Sequence, residues 1–114
     1  MIIAVDFDGT IVEHEFPKIG TEIPNAFDTL KALQNDGHTL ILWTFRSGKE
    51  LKAAIKFCKK NSLEFFAVNS NDPEKKFDPK LSRKIYADIY IDDRNIMGLP
   101  DWLTIQKLIQ DMEH

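Results

Sequence analysis

The sequence predicts an α/β fold in which a parallel sheet carries helices on both of its faces. Three observations predict it. Short apolar runs rich in β-branched residues alternate with segments of helical periodicity, as is typical of βαβ units. Three of these runs end in polar side chains, as strands do when they deliver ligand-binding groups to the carboxyl edge of an open sheet. A length of 114 residues suits one core, so we expect residues 1–114 to form a single domain.

The composition is that of an ordinary soluble globular protein. Apolar residues make up 43% and charged residues 29% of the chain, with 15 basic and 18 acidic side chains. The net charge of -3 indicates no broad attraction to nucleic acid or membranes. No apolar run reaches membrane-spanning length, and the acids directly after residues 1–5 exclude a signal peptide, so we expect a cytoplasmic protein. We expect the single cysteine, Cys58, to be a buried small hydrophobe rather than a nucleophile.

The first part of the chain predicts a strand, a flap and a helix. Ile2 to Asp6 form the first strand. From Thr10 to Gly20 apolar and polar residues alternate before a proline and a glycine, which suits a short projecting hairpin or flap. Pro24 suits the first turn of a helix that ends at Gly37. The apolar residues of this helix recur at helical spacing: Ala26, Phe27, Leu30 and Leu33.

Two more strands follow, with a helix between them. Thr39 to Trp43 is the second strand. Ser47 and Glu50 have the spacing of a capping box, so the second helix begins after Ser47 and runs to about Asn61. Phe65 to Val68 is the third strand.

The last part of the chain predicts a loop, a strand and a helix. Residues 69–78 form a polar loop, and Pro79 to Arg83 form one helical turn. Ala87 to Ile91 is the fourth strand, and an amphipathic helix runs from about Asp101 to Met112. The predicted apolar face of this helix consists of Trp102, Ile105, Ile109 and Met112.

The polar residues at the strand ends predict a metal-assisted site. These residues are Asp6 and Asp8, Thr44 and Arg46, and Asp92 and Asp93. Because the carboxyl ends of parallel strands share one edge, we expect the four carboxylates to converge there and to repel one another unless a cation is bound. No histidine or cysteine lies near a strand end, so magnesium fits better than zinc or copper. A cation beside an aspartate nucleophile suits phosphoryl transfer.

The motifs resemble those of the haloacid dehalogenase (HAD) superfamily. Asp6-Phe7-Asp8-Gly9-Thr10, Thr44 after an apolar strand, and Asp92-Asp93 after another resemble its first, second and fourth motifs, in the right order over nearly the whole chain. The resemblance implies a Rossmann-like HAD core with strand order 3-2-1-4. The segments after the first and third strands are too short for a folded insert, so we expect a flap but no cap domain.

The resemblance also assigns roles. Asp6 attacks phosphorus and becomes an aspartyl phosphate, while Asp8 protonates the leaving oxygen and then activates water. An acid at position 8 is typical of the phosphatases of the superfamily. Asp6, the backbone carbonyl of Asp8, and Asp92 would hold Mg²⁺, with Asp93 in a supporting role. Thr44 would donate a hydrogen bond to a phosphoryl oxygen.

The third motif of the superfamily is a basic residue that neutralises the phosphate, and several lysines of this chain are candidates for it. Short members that the chain resembles select Lys84, within the run at residues 82–84, as the phosphate-neutralising lysine. In an extended chain Lys84 would lie roughly 26 Å from the acids, so it serves only if residues 84–87 fold back. The alternatives are Lys75, Lys76 and Lys80 in the preceding loop. Arg46 is a further candidate for contact with a substrate phosphate, unless it is simply solvated.

The sequence therefore predicts a magnesium-dependent phosphatase that acts on a phosphate monoester, either a small molecule or an exposed phosphate on a macromolecule. His14 and Phe16 of the flap are candidate substrate contacts. The run at residues 91–94 is similar to the phosphatase half of polynucleotide kinase-phosphatases, but the acidic net charge argues against a nucleic acid. The sequence does not determine the oligomeric state.

Two other classes of function compete. One is a HAD-like phosphate-binding or regulatory module with little or no turnover, because a sequence does not measure a rate. The other is a response-regulator receiver, which has a similar size and cluster of acids. Receivers carry their phosphoacceptor at the end of a later strand, whereas here Asp6 follows the first strand, so the receiver is disfavoured.

Overall fold

The computed structural model describes residues 1–74 and 85–112 of the chain. The elements within them, in chain order, are β1 (Ile2–Val5), α1 (Ala26–Asn35), β2 (Thr39–Leu42), α2 (Gly48–Lys60), β3 (Ala67–Val68), β4 (Ile89–Ile91) and α3 (Trp102–Met112). None of the described helices combines the length and apolar character needed to cross a membrane. The predicted turn at Pro79–Arg83 and the lysines at positions 75, 76, 80 and 84 lie outside the described residues.

The four described strands form one parallel sheet in the order β3-β2-β1-β4, which confirms the predicted order. The strands are shorter than predicted, although hydrogen bonds extend the pairing. Phe66 N–H donates to Leu40 C=O at 2.8 Å, and Asp88 N–H donates to Ile2 C=O at 2.8 Å. The apolar runs therefore located the strands but not their ends.

All three described helices pack on the same face of the sheet. Side chains of α1, α2 and α3 share one core with Ile3, Val5, Leu40 and Leu42. The opposite face contributes Ala4, Ile41 and Ala67 to a smaller cluster with Ile85, and none of the described helices contributes to this cluster. The prediction of helices on both faces is therefore wrong for the described helices.

The connectivity explains this arrangement. The β1-α1-β2 and β2-α2-β3 crossovers step in the same direction across the sheet, so right-handed connections put both helices on one face. After β4 the chain returns to α1 instead of continuing to another described strand. Trp102 anchors it there, because its indole N–H donates to Thr10 C=O at 3.0 Å and its carbonyl accepts from the Thr29 hydroxyl at 3.5 Å.

One predicted helix start and one predicted helix cap need correction. Pro24 precedes α1 and occupies a β-turn: Ala26 N–H donates to Ile23 C=O at 3.2 Å, and Asn25 has φ 68°. Proline at the second position and Asn at the third with positive φ are typical of a type II turn. Ser47 is the residue before α2, as predicted, but its side chain makes no capping hydrogen bond.

The predicted interior of the helices is mostly confirmed. The four apolar residues predicted for the first helix are buried, as are Trp102, Ile105 and Ile109, whereas Met112 is 62% exposed. Cys58 is buried, and burial raises the pKa of its thiol to about 12. A thiol that stays protonated behaves as the small hydrophobe that was predicted.

Candidate functional site

The strand register brings Asp6 and Asp92 together. Val5 of β1 pairs with Ile91 of β4, and Asp6 N–H then donates to Ile91 C=O at 3.0 Å, so the next residues of both strands are neighbours. Side chains alternate along a strand, so both acids continue the face that carries Ala4, opposite the helices. Two carboxylates thus meet where neighbouring parallel strands end.

Asp93 completes an acidic trio with Asp6 and Asp92. Each residue of the trio offers a carboxylate oxygen within 4.8 Å of those of the other two, and all three are half-buried. Burial, reinforced by the negative charges of Asp92 and Asp93, raises the pKa of Asp6 to about 7. Asp93 Oδ1 is buried and has no hydrogen-bond partner among the described residues. The trio therefore concentrates negative charge, and no ion pair with a described basic side chain offsets it.

Neighbouring groups fix two members of the trio. The Thr10 hydroxyl donates to Asp6 Oδ2 at 3.3 Å. Asp92 Oδ1 accepts from Arg94 N–H at 2.6 Å, and Asp92 C=O accepts from the Asn95 side chain at 2.8 Å. An all-oxygen donor set with a buried, unpartnered carboxylate oxygen fits a hard divalent cation such as Mg²⁺.

Gly9 makes room for the trio. Its φ is +82°, and a Cβ atom at this position would overlap the Asp93 carboxylate. We expect Gly9→Ala to destabilise the protein and to weaken divalent-cation binding, since both the backbone and Asp93 must shift. Thermal unfolding with and without MgCl₂ measures both effects.

Gly37→Ala is the matched control for this prediction. Gly37 also has positive φ, at +97°, but nothing would lie within 4 Å of an added Cβ. This variant should lose only the backbone preference, roughly 1 kcal/mol. Equal losses in the two variants would contradict the steric role assigned to Gly9.

Asp8 is not a member of the trio and binds Arg46. Arg46 Nε donates to Asp8 Oδ2 at 2.7 Å, and Nη2 donates to Asp8 Oδ1 at 2.7 Å, so the ion pair is bidentate. The two residues are 2% and 1% exposed. The structure therefore groups the Asp8 carboxylate with Arg46 and not with the three other predicted acids.

Arg46 also binds backbone carbonyls of the flap and of α2. Its other donors bind the carbonyl oxygens of Pro17 at 3.3 Å, Lys18 at 2.9 Å and Glu50 at 3.3 Å. Together with the two bonds to Asp8, these occupy every N–H of the guanidinium. Arg46 was predicted from the sequence as a candidate contact for a substrate phosphate. In the observed geometry, that contact would require Arg46 to break one of these hydrogen bonds.

The flap is paired and carries exposed aromatic rings. Glu13 N–H donates to Thr21 C=O at 2.8 Å, which gives the segment the hairpin character that was predicted. Phe16 is 42% exposed, and Phe45, directly after Thr44, is 57% exposed. Phe45 packs edge-to-face on Phe16 at 4.9 Å and stacks with His14 at 6.4 Å between ring centroids. The predicted substrate contacts His14 and Phe16 thus belong to one aromatic cluster.

Thr44 and Asn69 share a hydrogen bond at the end of β2. Thr44 N–H donates to Asn69 Oδ1 at 2.8 Å, and Thr44 Oγ1 accepts from Arg46 N–H at 3.1 Å. Both Thr44 and Asn69 are 8% exposed. Sequence reasoning treated Asn69 as the start of a polar loop. Asn69 directly follows the third apolar run, and this sequence position could have predicted that it lies at the carboxyl edge of the sheet, as Asp6 does.

The fold and the acidic trio define a class: a parallel α/β domain that gathers carboxylates at the carboxyl edge of its sheet. Among solved structures, the chain is similar to a conserved protein coded by a locus from Bacteroides thetaiotaomicron, with 53% sequence identity and a TM-score of 0.91. The match covers 98% of this chain and 91% of the other. The chain belongs to the family of that conserved protein. No protein-family model and no curated protein matches the chain.

Proposed function

We propose that the protein is a magnesium-dependent phosphohydrolase of the HAD type that hydrolyses a phosphate monoester. The observation that carries the proposal is the convergence of Asp6, Asp92 and Asp93 at the carboxyl edge of the sheet. Thr44 at the end of the neighbouring strand β2 adds a hydroxyl that suits a phosphoryl oxygen. The strand order 3-2-1-4 and the motif residues at the strand ends support the proposal.

In the proposed reaction, Asp6 is the nucleophile, Asp8 transfers the proton, and the trio binds the metal ion. A carboxylate oxygen of Asp6 attacks phosphorus, and the ester oxygen leaves with a proton from Asp8. A water molecule that gives its proton to Asp8 then attacks the phosphorus of the aspartyl phosphate, which releases inorganic phosphate and regenerates Asp6. Asp6, Asp92 and Asp93 would hold Mg²⁺, which when bound neutralises charge on the phosphate.

The substrate in this proposal is an accessible phosphate monoester. Between Thr10 and β2 the chain forms the flap and α1, and residues 69–84 are too few for a folded insert, so we expect no cap domain over the site. The net charge of -3 disfavours a nucleic-acid substrate, because binding to phosphate backbones needs basic side chains. An aryl phosphate is therefore a suitable first probe.

The first test is turnover of p-nitrophenyl phosphate by the purified protein. We expect activity with MgCl₂, loss of activity with EDTA, and recovery when excess Mg²⁺ is added. Asp92→Asn should raise the Mg²⁺ concentration needed for half-maximal activity, since one ligand charge is lost. Asp28→Asn, at an exposed position of α1, should leave this concentration unchanged. Full activity in EDTA would contradict the metal site.

A phosphate-binding module without significant turnover is the second candidate. The observation that favours it is the bidentate pair in which Arg46 engages both oxygens of Asp8. Proton transfer by Asp8 requires Arg46 to release at least one of them. Binding of inorganic phosphate with Mg²⁺, without hydrolysis of any ester in a broad panel, would select this candidate over the phosphohydrolase.

A further inference from the structure

The Asn69 side chain uses only one of its two polar atoms within the described protein. Its Oδ1 accepts from Thr44 N–H at 2.8 Å. Its Nδ2 is buried and has no hydrogen-bond partner among the described residues. A buried amide that lacks an acceptor costs stability, so a donor held in this state points to an acceptor that arrives from outside the described protein.

The register places this donor beside the candidate site. Leu42 of β2 pairs with Val68 of β3 and with Val5 of β1, so Asn69 and Asp6 each directly follow the same row of paired residues. Only β2 lies between their strands, which puts the two backbones roughly 10 Å apart. A phosphoryl group bonded to Asp6 and hydrogen-bonded to Thr44 would lie at the end of β2, between Asp6 and Asn69.

The backbone conformation of Asn69 supports a fixed position for its amide. Asn69 has φ 52°, in the left-handed region that asparagine tolerates better than most residues. Its N–H donates to Leu42 C=O at 2.8 Å, while its side chain accepts from Thr44 N–H. These two hydrogen bonds, one to β2 and one to the residue that follows it by two positions, fix the position of the amide.

We propose that Asn69 is a phosphate-binding residue, which orients Thr44 through Oδ1 and donates from Nδ2 to an oxygen of the substrate phosphate. This inference rests on the proposed function, since it concerns the same site. The ligand is the phosphoryl group common to the substrate ester and the released inorganic phosphate. The role explains the buried donor that has no partner among the described residues. It also fits asparagine better than aspartate, which supplies only acceptors, or lysine, which supplies only donors.

Asn69→Asp separates the two contacts of this side chain. The aspartate keeps an oxygen for Thr44 N–H but replaces the donor with an anionic oxygen. We expect the affinity for inorganic phosphate, measured with MgCl₂ by competitive inhibition of p-nitrophenyl phosphate hydrolysis and by calorimetry, to fall about tenfold or more. The KM should rise accordingly.

Asn71→Asp is the matched control. It adds the same charge in the same loop, at an exposed residue whose amide binds the backbone N–H and C=O of Tyr86. Phosphate affinity within threefold of wild type for both variants would overturn the inference while leaving the proposed function intact. If the wild-type protein binds no phosphate with MgCl₂, both the proposed function and the inference are overturned.

A measurement on the wild-type chain removes the dependence on folding of the variant. The Nδ2 amide resonances of Asn69, assigned in ¹⁵N-labelled protein, should shift on titration with inorganic phosphate and MgCl₂ and stay in place with MgCl₂ alone. The amide of Asn71 serves as the internal reference. An Asn69 amide that stays in place while phosphate binds elsewhere in the protein would overturn the inference.

Discussion

Replacement of Asp6 by asparagine should abolish hydrolysis while preserving the fold. Asparagine has nearly the same shape, but its amide does not form an acyl phosphate. Loss of a nucleophile lowers turnover roughly a thousandfold or more, and the residual rate reflects binding and the remaining electrostatics. The measurement is the rate of p-nitrophenyl phosphate hydrolysis with saturating MgCl₂. Asp111→Asn, at an exposed residue of α3, is the matched control and should retain full activity.

The same substitution should change the pH dependence of stability. The pKa of Asp6 lies at about 7 in the folded protein, above the ordinary value of 3.8. Between these values the folded state keeps a proton that the unfolded chain has released. The free energy of unfolding therefore falls as pH rises through this window and stays lowered above it.

The asparagine side chain in D6N does not titrate. In magnesium-free buffer, the free energy of unfolding of D6N should therefore lack the part of the decline with pH that comes from Asp6. Thermal unfolding of wild type and D6N is measured in EDTA at pH 5 and pH 8. Subtracting the two profiles cancels the titration of acids that do not interact with Asp6. We expect D6N to gain stability relative to wild type at pH 8. Undiminished hydrolysis by D6N would reject Asp6 as the nucleophile, and identical pH profiles would reject its raised pKa.

Among the single substitutions predicted here, Arg46→Met should lower the free energy of unfolding most. Methionine has a similar length but no donor, so the buried Asp8 carboxylate would lose both of its bonds to Arg46. The flap carbonyls of Pro17 and Lys18 would lose a donor as well. Removing one partner of a buried ion pair costs about 3–5 kcal/mol, because the other charge remains uncompensated. Urea unfolding measures the change.

Two controls separate the ion pair from other effects. Arg94→Met, at an exposed arginine, should change stability by less than about 0.5 kcal/mol. Combining Arg46→Met with Asp8→Leu removes both charges and should recover part of the loss, since no unpaired carboxylate remains. A loss below about 1 kcal/mol in R46M would contradict the burial and bidentate geometry of the pair.

Arg46 also gives the flap a specific connection to the site. The guanidinium lies 5.1 Å from the ring centroids of Phe7 and Phe16, so it contacts the core on one side and the flap on the other. Lysine would supply one compact ammonium group in place of this planar fork. R46K should therefore be destabilised almost as much as R46M, although it keeps the positive charge.

The convergence of Asp6 and Asp92 could be predicted from residue patterns alone. Short apolar runs that end in acids predict parallel strands, and the carboxyl ends of parallel strands share one edge of the sheet. The strand order was predicted from the resemblance to the HAD superfamily and is the observed one. The burial of Cys58 and the apolar residues of α1 also followed from periodicity alone. These features depend on local pattern and on the geometry common to parallel sheets.

The partners of Arg46 and Asn69 became apparent only in the folded protein. A guanidinium binds a carboxylate and a phosphate by the same donors, so sequence could not choose between them. The choice depends on the flap, which brings the carbonyls of Pro17 and Lys18 to a residue 28 or 29 positions away. Asn69 meets Thr44 across 25 positions for a similar reason. Side-chain pairing of this kind is set by packing between elements, which the pattern within each element does not contain.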